Sequence, residues 1–598
     1  MATIDKYFKI SSADNGQWLG NGEITFISDE SGVDQIWKTK IGDEPVQLTF
    51  LKERIWKHMV APNGKDIFFT MDSGGNEQEQ IYMLKHGETE AINLTNNDKA
   101  RYSFGGVKPD GKTIVYASTE RNPANYDICQ MDITTGKREI IIENNDNYNI
   151  PAELSPDGRY LLYNKLKGYS NNYLWMVNTE TKEAEKIDLS GEFAQYTNPR
   201  WTSDSKGFYL ITDVNAEFKY VAYYDIVLKE LRKVYEENWD VEDIALSYND
   251  KYLAMEINRD GYSVIEILNI NTLRLENIPK PPRGVISYYG LNWSKTDNRL
   301  LFSLSSGNRP MDIWMLDMDN DKIERITSRE MEGICPDDLI EPTLHRYISF
   351  DGLEVPFWYY KTNKGDGKTP VIIDIHGGPE GQERPTFNPL TQYLISQGFS
   401  IIGPNVRGSS GYGKRYTHLD DIEKRLDSVK DIESLVNHLI GKGLAQRDKI
   451  AVMGASYGGY MTLSSLTEYP DLWAAGVDTV GMSNLETFLE NTAEYRRVHR
   501  ESEYGSLEHH RDILREVSPM HKVHRITAPL MVIHGANDPR VPVSEAEQIV
   551  SSLKNRNVPV EYLRYDNEGH GLAKRENQLD CYPKVVKFLK KHLGVKDN

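Results

Sequence analysis

The chain is poor in cysteine, in net positive charge and in long apolar runs, and each shortage removes a class of function. Three cysteines in 598 residues, Cys129, Cys335 and Cys581, stand far apart without a CxxC pair, which argues against a disulfide framework or a thiolate metal site. A formal net charge of -19 repels phosphate backbones and anionic lipid, so neither nucleic acid nor a membrane is an expected partner. No apolar run approaches the roughly 20 residues a membrane helix needs. The opening MATIDKYFKI has no basic start followed by an apolar core, and the expected location is therefore the cytoplasm.

What is present is ample bulk to bury: 35 Tyr and 10 Trp in a chain that is 39% hydrophobic, a globular balance. A length prior of roughly 150 residues per domain gives several domains, which an internal repeat reduces to two. The stretches APNGKDIFFT, KPDGKTIVYA, SPDGRYLLYN, TSDSKGFYLI, SYNDKYLAME and SKTDNRLLFS each place a turn between two strand-like runs. Their second residues, Pro62, Pro109, Pro156, Ser203, Tyr248 and Lys295, are 47, 47, 47, 45 and 47 residues apart. A further strand follows about twenty residues after each turn, as in EQIYML and NYLWMV. DQIWKT, at 34–39, adds a seventh copy. Strands recurring at 40 to 50 residues predict a β-propeller, whose blades bury both faces only by stacking on one another. A β-sandwich would not keep so constant a period.

The period ends after DKIERITSRE, and EGICPDDLIEPT reads as a linker. Beyond it, buried-type strands (PVIIDIHG, SIIGPNV, KIAVMGA, LMVIHGA) alternate with amphipathic stretches such as DIESLVNHLI, the pattern of a doubly wound, mostly parallel α/β sheet. The expected architecture is a seven-bladed propeller over residues 1–335 followed by an α/β-hydrolase domain over 336–598.

In that second domain VMGASYGGYM sets Ser456 in a GxSxG pattern. The pattern alone is weak, with about 0.2 chance matches expected in a chain this long. Its context is stronger: an apolar strand runs straight into the serine and a helix-like stretch leaves it, the arrangement that lifts a nucleophile above an α/β-hydrolase sheet. A neutral hydroxyl also needs a base and an orienting acid, in chain order Ser, Asp, His. Asp538 follows the strand PLMVIHGAND and His570 follows VEYLRYDNEGHG, each at a strand end. Asp538 also suits a simple Asx turn before proline, Asp566 and Asp478 are competing acids, and His570 has a surface-loop alternative. The backbone N–H of Tyr457 and a donor from the IIDIHGGPEG loop, at Gly377 or Gly378, are the candidate oxyanion donors. His376 in that loop has no second ligand at metal spacing, so no metal and no cofactor are expected.

With GASYGGY, HGGPEG, NVRGSSGYG at 405–413, NDPRVP at 537–542 and EGHG at 568–571, the chain resembles the prolyl oligopeptidase family of serine peptidases, most closely its acylaminoacyl peptidase branch. The resemblance spans nearly the whole chain. It implies Ser456, Asp538 and His570 as a triad, short peptides as substrates, a propeller that excludes folded proteins, and a homo-oligomer. It further implies that Arg540, with Val541 beside it, contacts the substrate next to the scissile residue, a surface salt bridge being the alternative for the arginine. Leu485 and Phe488, in GMSNLETFLENTAEY, become candidate pocket walls, with plain core packing as the alternative. Some acylaminoacyl peptidases begin with a helix packed on the hydrolase, whereas strand-like repeats here start within the first thirty residues, so no such helix is expected.

The leading expectation is a serine exopeptidase that releases an acylated residue from blocked peptides. A dipeptidyl aminopeptidase would instead need carboxylates for a free α-ammonium, and Glu236 and Glu237 are an adjacent acidic pair with a solvated loop as the alternative. A prolyl endopeptidase, an esterase, or a propeller interaction protein with a silent hydrolase domain complete the field.

Overall fold

The computed structural model describes residues 3–145, 148–168, 170–187, 193–364 and 369–596. Seven antiparallel sheets follow one another over residues 14–47, 55–93, 102–142, 148–187, 196–235, 241–275 and 285–325, and form blades 1 to 7 of a β-propeller. The first six have four strands each, laid down in sequence order; in blade 7 the innermost strand is broken into Val285–Ile286 and Asn292–Trp293, both paired to Arg299–Ser306. The repeated turn works through one left-handed residue after an Asp or Asn. Gly111 (φ 67°) and Gly158 (φ 74°) supply it without strain, and Ser205 and Asp250 adopt it in two of the three copies whose turn lacks glycine, while the turn at Asp297 and Asn298 does without it. This is why the period persists where the glycine does not.

The ring closes without a strand shared between blades 1 and 7 among the described residues. Ala13 N–H donates to the Met311 carbonyl (2.8 Å), and Trp18, Ile24 and Phe26 pack on Leu301, Ile313 and Met315.

The hydrolase domain is built on an eight-stranded sheet. Thr343–Ile348 and Glu354–Tyr360 form an antiparallel edge. Ser400–Pro404, Val371–Ile375, Ile450–Ala455, Ala475–Thr479, Leu530–Gly535 and Val560–Tyr565 then follow in spatial order, parallel to one another. Helices Arg425–Gly441, Tyr457–Glu468 and Ser544–Asn555 cover one face, Pro389–Ser396 and Arg575–Leu593 the other, each over its own apolar core. No helix among the described residues is long and apolar enough to cross a membrane.

One expectation fails at the start of the chain. Ile4–Lys9 is a helix, and it packs on the hydrolase: Tyr7 meets Tyr393 edge-on (5.4 Å) and Phe8 stacks on Tyr582 (5.0 Å). Six residues are too few to display a 3.6-residue period, and contacts nearly 400 and 600 residues downstream hold the helix in place.

Loops between the second and third strands of every blade reach the hydrolase. Asp29 is met by Arg575, Gly74 by Asn537, Tyr126 by Tyr495, Gly168 by Ser502, Asp213 by Lys414, Gly261 by Arg384 and Gly307 by Gln392. The propeller therefore seats on the second domain around its whole rim.

Candidate active site

Strand Ile450–Ala455 ends at Ser456, whose backbone sits at φ 59°, ψ -116°, and helix Tyr457–Glu468 begins at the next residue. Such a conformation costs a non-glycine residue about 1–3 kcal/mol. Neighbouring glycines make it sterically accessible: a Cβ on Gly458 would lie 1.9 Å from the Ile375 carbonyl oxygen, and one on Gly454 2.5 Å from that of Gly458. Ser456 N–H donates to the Thr479 carbonyl (2.9 Å), and its side chain, partly exposed, is not used to cap the helix.

Asp538 and His570 come together from the loops after Leu530–Gly535 and Val560–Tyr565. His570 Nδ1 is 2.6 Å from Asp538 Oδ2. The other oxygen, Oδ1, accepts the backbone N–H groups of Arg540 (2.8 Å) and Val541 (3.0 Å). Burial pushes the Asp538 carboxyl up, but His570, His534 and the Val541 N–H outweigh it and hold the group below its ordinary value. The competing acids are elsewhere. Asp566 is 84% exposed and paired with Arg564. Asp478 is buried behind the serine turn against Gly459 and Gly481, and burial raises it to about 7.

The HGGPEG loop lies against the serine. A Cβ on Gly377 would be 3.6 Å from Ser456 Cβ, and the Gly378 carbonyl accepts from Arg500 Nη1 (3.4 Å). The Tyr457 amide is the first of its helix, where no intrahelical acceptor exists. His376 is engaged at both ring nitrogens, by the Gly377 carbonyl (2.8 Å) and the Ser409 hydroxyl (2.9 Å), and holds the loop.

Of the residues named for substrate contact, Arg540 is ion-paired to Glu77 of blade 2, a bond between the domains and not a simple surface bridge. Leu485, Phe488 and Val541 are at most 2% exposed and belong to the hydrolase core, with Phe488 edge-on to Tyr504 (5.9 Å). Glu237 accepts a two-pronged bond from Arg259 (2.8 Å to each oxygen), and Glu236 pairs with Lys233 at the surface.

Sequence reading missed four residues at this site. His534 donates from Nε2 to the Val541 carbonyl (2.9 Å) and stands 3.7 Å from Asp538, bracing the loop; its place on the strand just before Asp538 was the available signal. Glu77, Arg496 and Arg500 had none, because their partners lie far off in the chain. Arg101 (3.7 Å), Arg496 (3.9 Å) and Arg540 all surround Glu77, and burial's upward push on that carboxyl is overcome by the three arginines. Blade 2 also touches the histidine loop directly: a Cβ on Gly75 would lie 2.4 Å from Gly569 N, and Asn537 Nδ2 donates to the Gly74 carbonyl (2.9 Å).

A serine raised on a strand–turn–helix and an aspartate-bound histidine on the neighbouring loops, beneath a seven-bladed ring, define a propeller-capped α/β-hydrolase. Residues 53–329 match the prolyl oligopeptidase N-terminal beta-propeller domain, and residues 385–596 match the prolyl oligopeptidase family. The chain belongs to the prolyl oligopeptidase family and is a serine peptidase. It is 25% identical to dipeptidyl peptidase family member 6 of Caenorhabditis elegans (98% of this chain, 85% of the relative) and 26% identical to dipeptidyl aminopeptidase BIII of Pseudoxanthomonas mexicana (96% and 85%). Acylamino-acid-releasing enzyme 1 of Oryza sativa subsp. japonica is 28% identical over 41% of this chain and 33% of its own. The fold superposes on a puromycin-hydrolyzing peptidase from Mycobacterium tuberculosis with a TM-score of 0.88 at 18% identity, covering 100% of this chain and 96% of that one.

Proposed function

We propose that the protein releases an N-acylated amino acid from short blocked peptides. Ser456 Oγ attacks the scissile carbonyl, His570 takes the hydroxyl proton and returns it to the leaving amine, and Asp538 fixes the imidazole and stabilises its charged form. The Tyr457 amide and an amide of Gly377 or Gly378 receive the oxyanion. Water then cleaves the acyl-enzyme by the same route. The seated rim of the propeller supports a restriction to short peptides.

The observation that carries the choice of a blocked N-terminus is the engagement of Glu77, Glu79 and Glu237. A free α-ammonium brought out of water needs an uncommitted anion. Glu77 is shared by three arginines, Glu79 is paired with Arg101 (2.7 Å), and Glu237 is held by Arg259. An uncharged acyl cap makes no such demand.

A dipeptidyl aminopeptidase is the second reading, favoured by two of the relatives that align along nearly the whole chain. The test is kcat/KM for an acetyl-amino-acid p-nitroanilide against a free-amino dipeptidyl p-nitroanilide, with Ser456→Ala as background. Preference for the acetylated compound is expected; preference for the free amine transfers the assignment to the second reading. Undiminished hydrolysis by Ser456→Ala would sink both.

A further inference from the structure

Helix Glu494–Tyr504 (EYRRVHRESEY) carries Arg496, His499, Arg500 and Glu503 one, four, five and eight residues after Tyr495, which lines the five along one face. That face looks onto the propeller and the HGGPEG loop. Tyr495 stacks on Tyr148 (6.1 Å) and meets Tyr126 edge-on (6.0 Å), while His499 meets Tyr148 edge-on (4.8 Å). The Arg101 guanidinium lies 5.2 Å from the Tyr495 ring. Arg500 reaches the Gly378 carbonyl, in the loop that lies against Ser456, and Arg540 stands two residues beyond Asp538. The wall thus borders both loops on which the proposed chemistry depends.

Its hydrogen bonding is incomplete, and among the described residues the open donors outnumber the open carboxylate oxygens, Glu77 Oε2 and Glu380 Oε2. Arg101 Nη1, Tyr126 Oη, Tyr495 Oη, Arg496 Nε and His499 Nε2 are buried without a hydrogen-bond partner among the described residues, and all five can donate. Buried polar groups are almost always satisfied, so five open donors against two open carboxylate oxygens call for a further acceptor from outside. The charge is unbalanced in the same sense. Arg101, Arg496 and Arg540 face Glu77 and Glu79. Glu503 is committed to Arg425, and burial beside Glu503 raises the Glu380 carboxyl. Arg496 is the extreme case: its one carboxylate among the described residues, Glu77 at 3.9 Å, is also the partner of Arg101 and Arg540, and burial with Arg500 and Arg540 nearby lowers its pKa.

We propose that this wall is a carboxylate-binding subsite on the acyl side of the scissile bond, with Arg496 as its anchor, so that the enzyme prefers blocked peptides with an acid in the unit preceding the scissile residue. A carboxylate brings two oxygens and about four lone-pair sites, enough to meet several of the open donors at once and to accept a guanidinium in two-pronged fashion. It also neutralises the excess cation of the wall. The acid arrives either as a dicarboxylic cap such as succinyl or as an acidic residue. This inference rests on the function proposed above, since it places the subsite beside Ser456.

The test measures kcat/KM for two matched pairs, succinyl-Ala against acetyl-Ala p-nitroanilide and acetyl-Asp-Ala against acetyl-Asn-Ala p-nitroanilide, using the full chain. In at least one pair the charged member should be favoured by about tenfold or more, the worth of a charge-assisted hydrogen bond, and the pair that responds identifies the source of the acid. Arg496→Gln should bring that ratio close to one, and Arg496→Lys should keep part of it. A thermal melt establishes that each variant is folded; if Arg496→Gln is not, the wild-type ratio and the lysine variant decide. Binding of succinyl-alanine amide against acetyl-alanine amide to Ser456→Ala gives the same comparison without catalysis, so a failure of the functional assignment remains distinct from a failure of the subsite. Ratios within twofold in both wild-type pairs, together with equal binding of the two amides, would overturn the proposal. So would a ratio that survives Arg496→Gln.

Discussion

Asp538→Asn is the sharpest perturbation of the proposed chemistry, because the surrounding bonds dictate how the amide must sit. Arg540 and Val541 N–H groups both point at Oδ1, so the carbamoyl oxygen has to occupy that position and its NH2 must take the place of Oδ2, facing His570 Nδ1. Nδ1 then becomes the acceptor, the ring proton moves to Nε2, and the nitrogen turned towards Ser456 is no longer able to take the hydroxyl proton. The fully buried side chain has no room to escape by rotation. Loss of the correct tautomer in a Ser-His-Asp arrangement costs about 10⁴ in kcat, or roughly 5.5 kcal/mol of transition-state stabilisation. The assay is steady-state hydrolysis of the better p-nitroanilide at neutral pH, with Asp566→Asn as the control at an exposed carboxylate. A kcat reduced less than tenfold by Asp538→Asn, or reduced as far by Asp566→Asn, would refute the reasoning.

Phe488→Ala should act on stability before specificity: its ring is 2% exposed within the hydrolase core, and emptying that volume costs about 3–5 kcal/mol, read as a lower denaturant midpoint. Unaltered stability with a changed side-chain preference would make it a pocket wall after all. Acid should weaken the fold well above the carboxylate range. Burial, and then Lys57, lowers His58 to about 3, and burial with Arg500 and Arg496 lowers His499 to about 3. Both stay neutral when folded and take up protons near their ordinary value of about 6.5 when unfolded. Their contribution is therefore complete above that value and is lost progressively as pH falls towards 3. Urea midpoints measured from pH 7 to pH 4 should decline, and less steeply in His58→Gln; identical slopes in the two proteins would contradict this.

The propeller was legible because its signal is periodic and local: a turn residue, a strand pair and a fixed interval repeat often enough to survive the loss of glycine at Ser205 and Asp250. The serine turn was legible for a related reason, since Gly454 and Gly458 answer steric demands within a few residues of Ser456. Choosing among Asp538, Asp566 and Asp478 was only partly possible from sequence. All three sit near strand ends, and what separates them is burial and direction, which no local pattern encodes. Leu485 and Phe488 read equally well as wall or core, because apolar residues suit both. The arginine wall was illegible altogether. Glu77 and Arg540 are 463 residues apart, and Arg496 reads as one more charge on an amphipathic helix until the propeller is placed against it.

The helix at Ile4–Lys9 sets a condition on biosynthesis. Phe8 leaves the ribosome early, yet the ring it stacks on, Tyr582, is made 574 residues later. At translation rates of roughly 5–20 residues per second, that interval is about half a minute to two minutes. For about the first two thirds of it neither Tyr393 nor Tyr582 exists to cover Tyr7 and Phe8, and Phe8 waits for Tyr582 to the end, while the blades behind them are already able to assemble. These two aromatic residues are thus among the last to be buried, an exposed tether that a chaperone can hold until helix Arg575–Leu593 emerges.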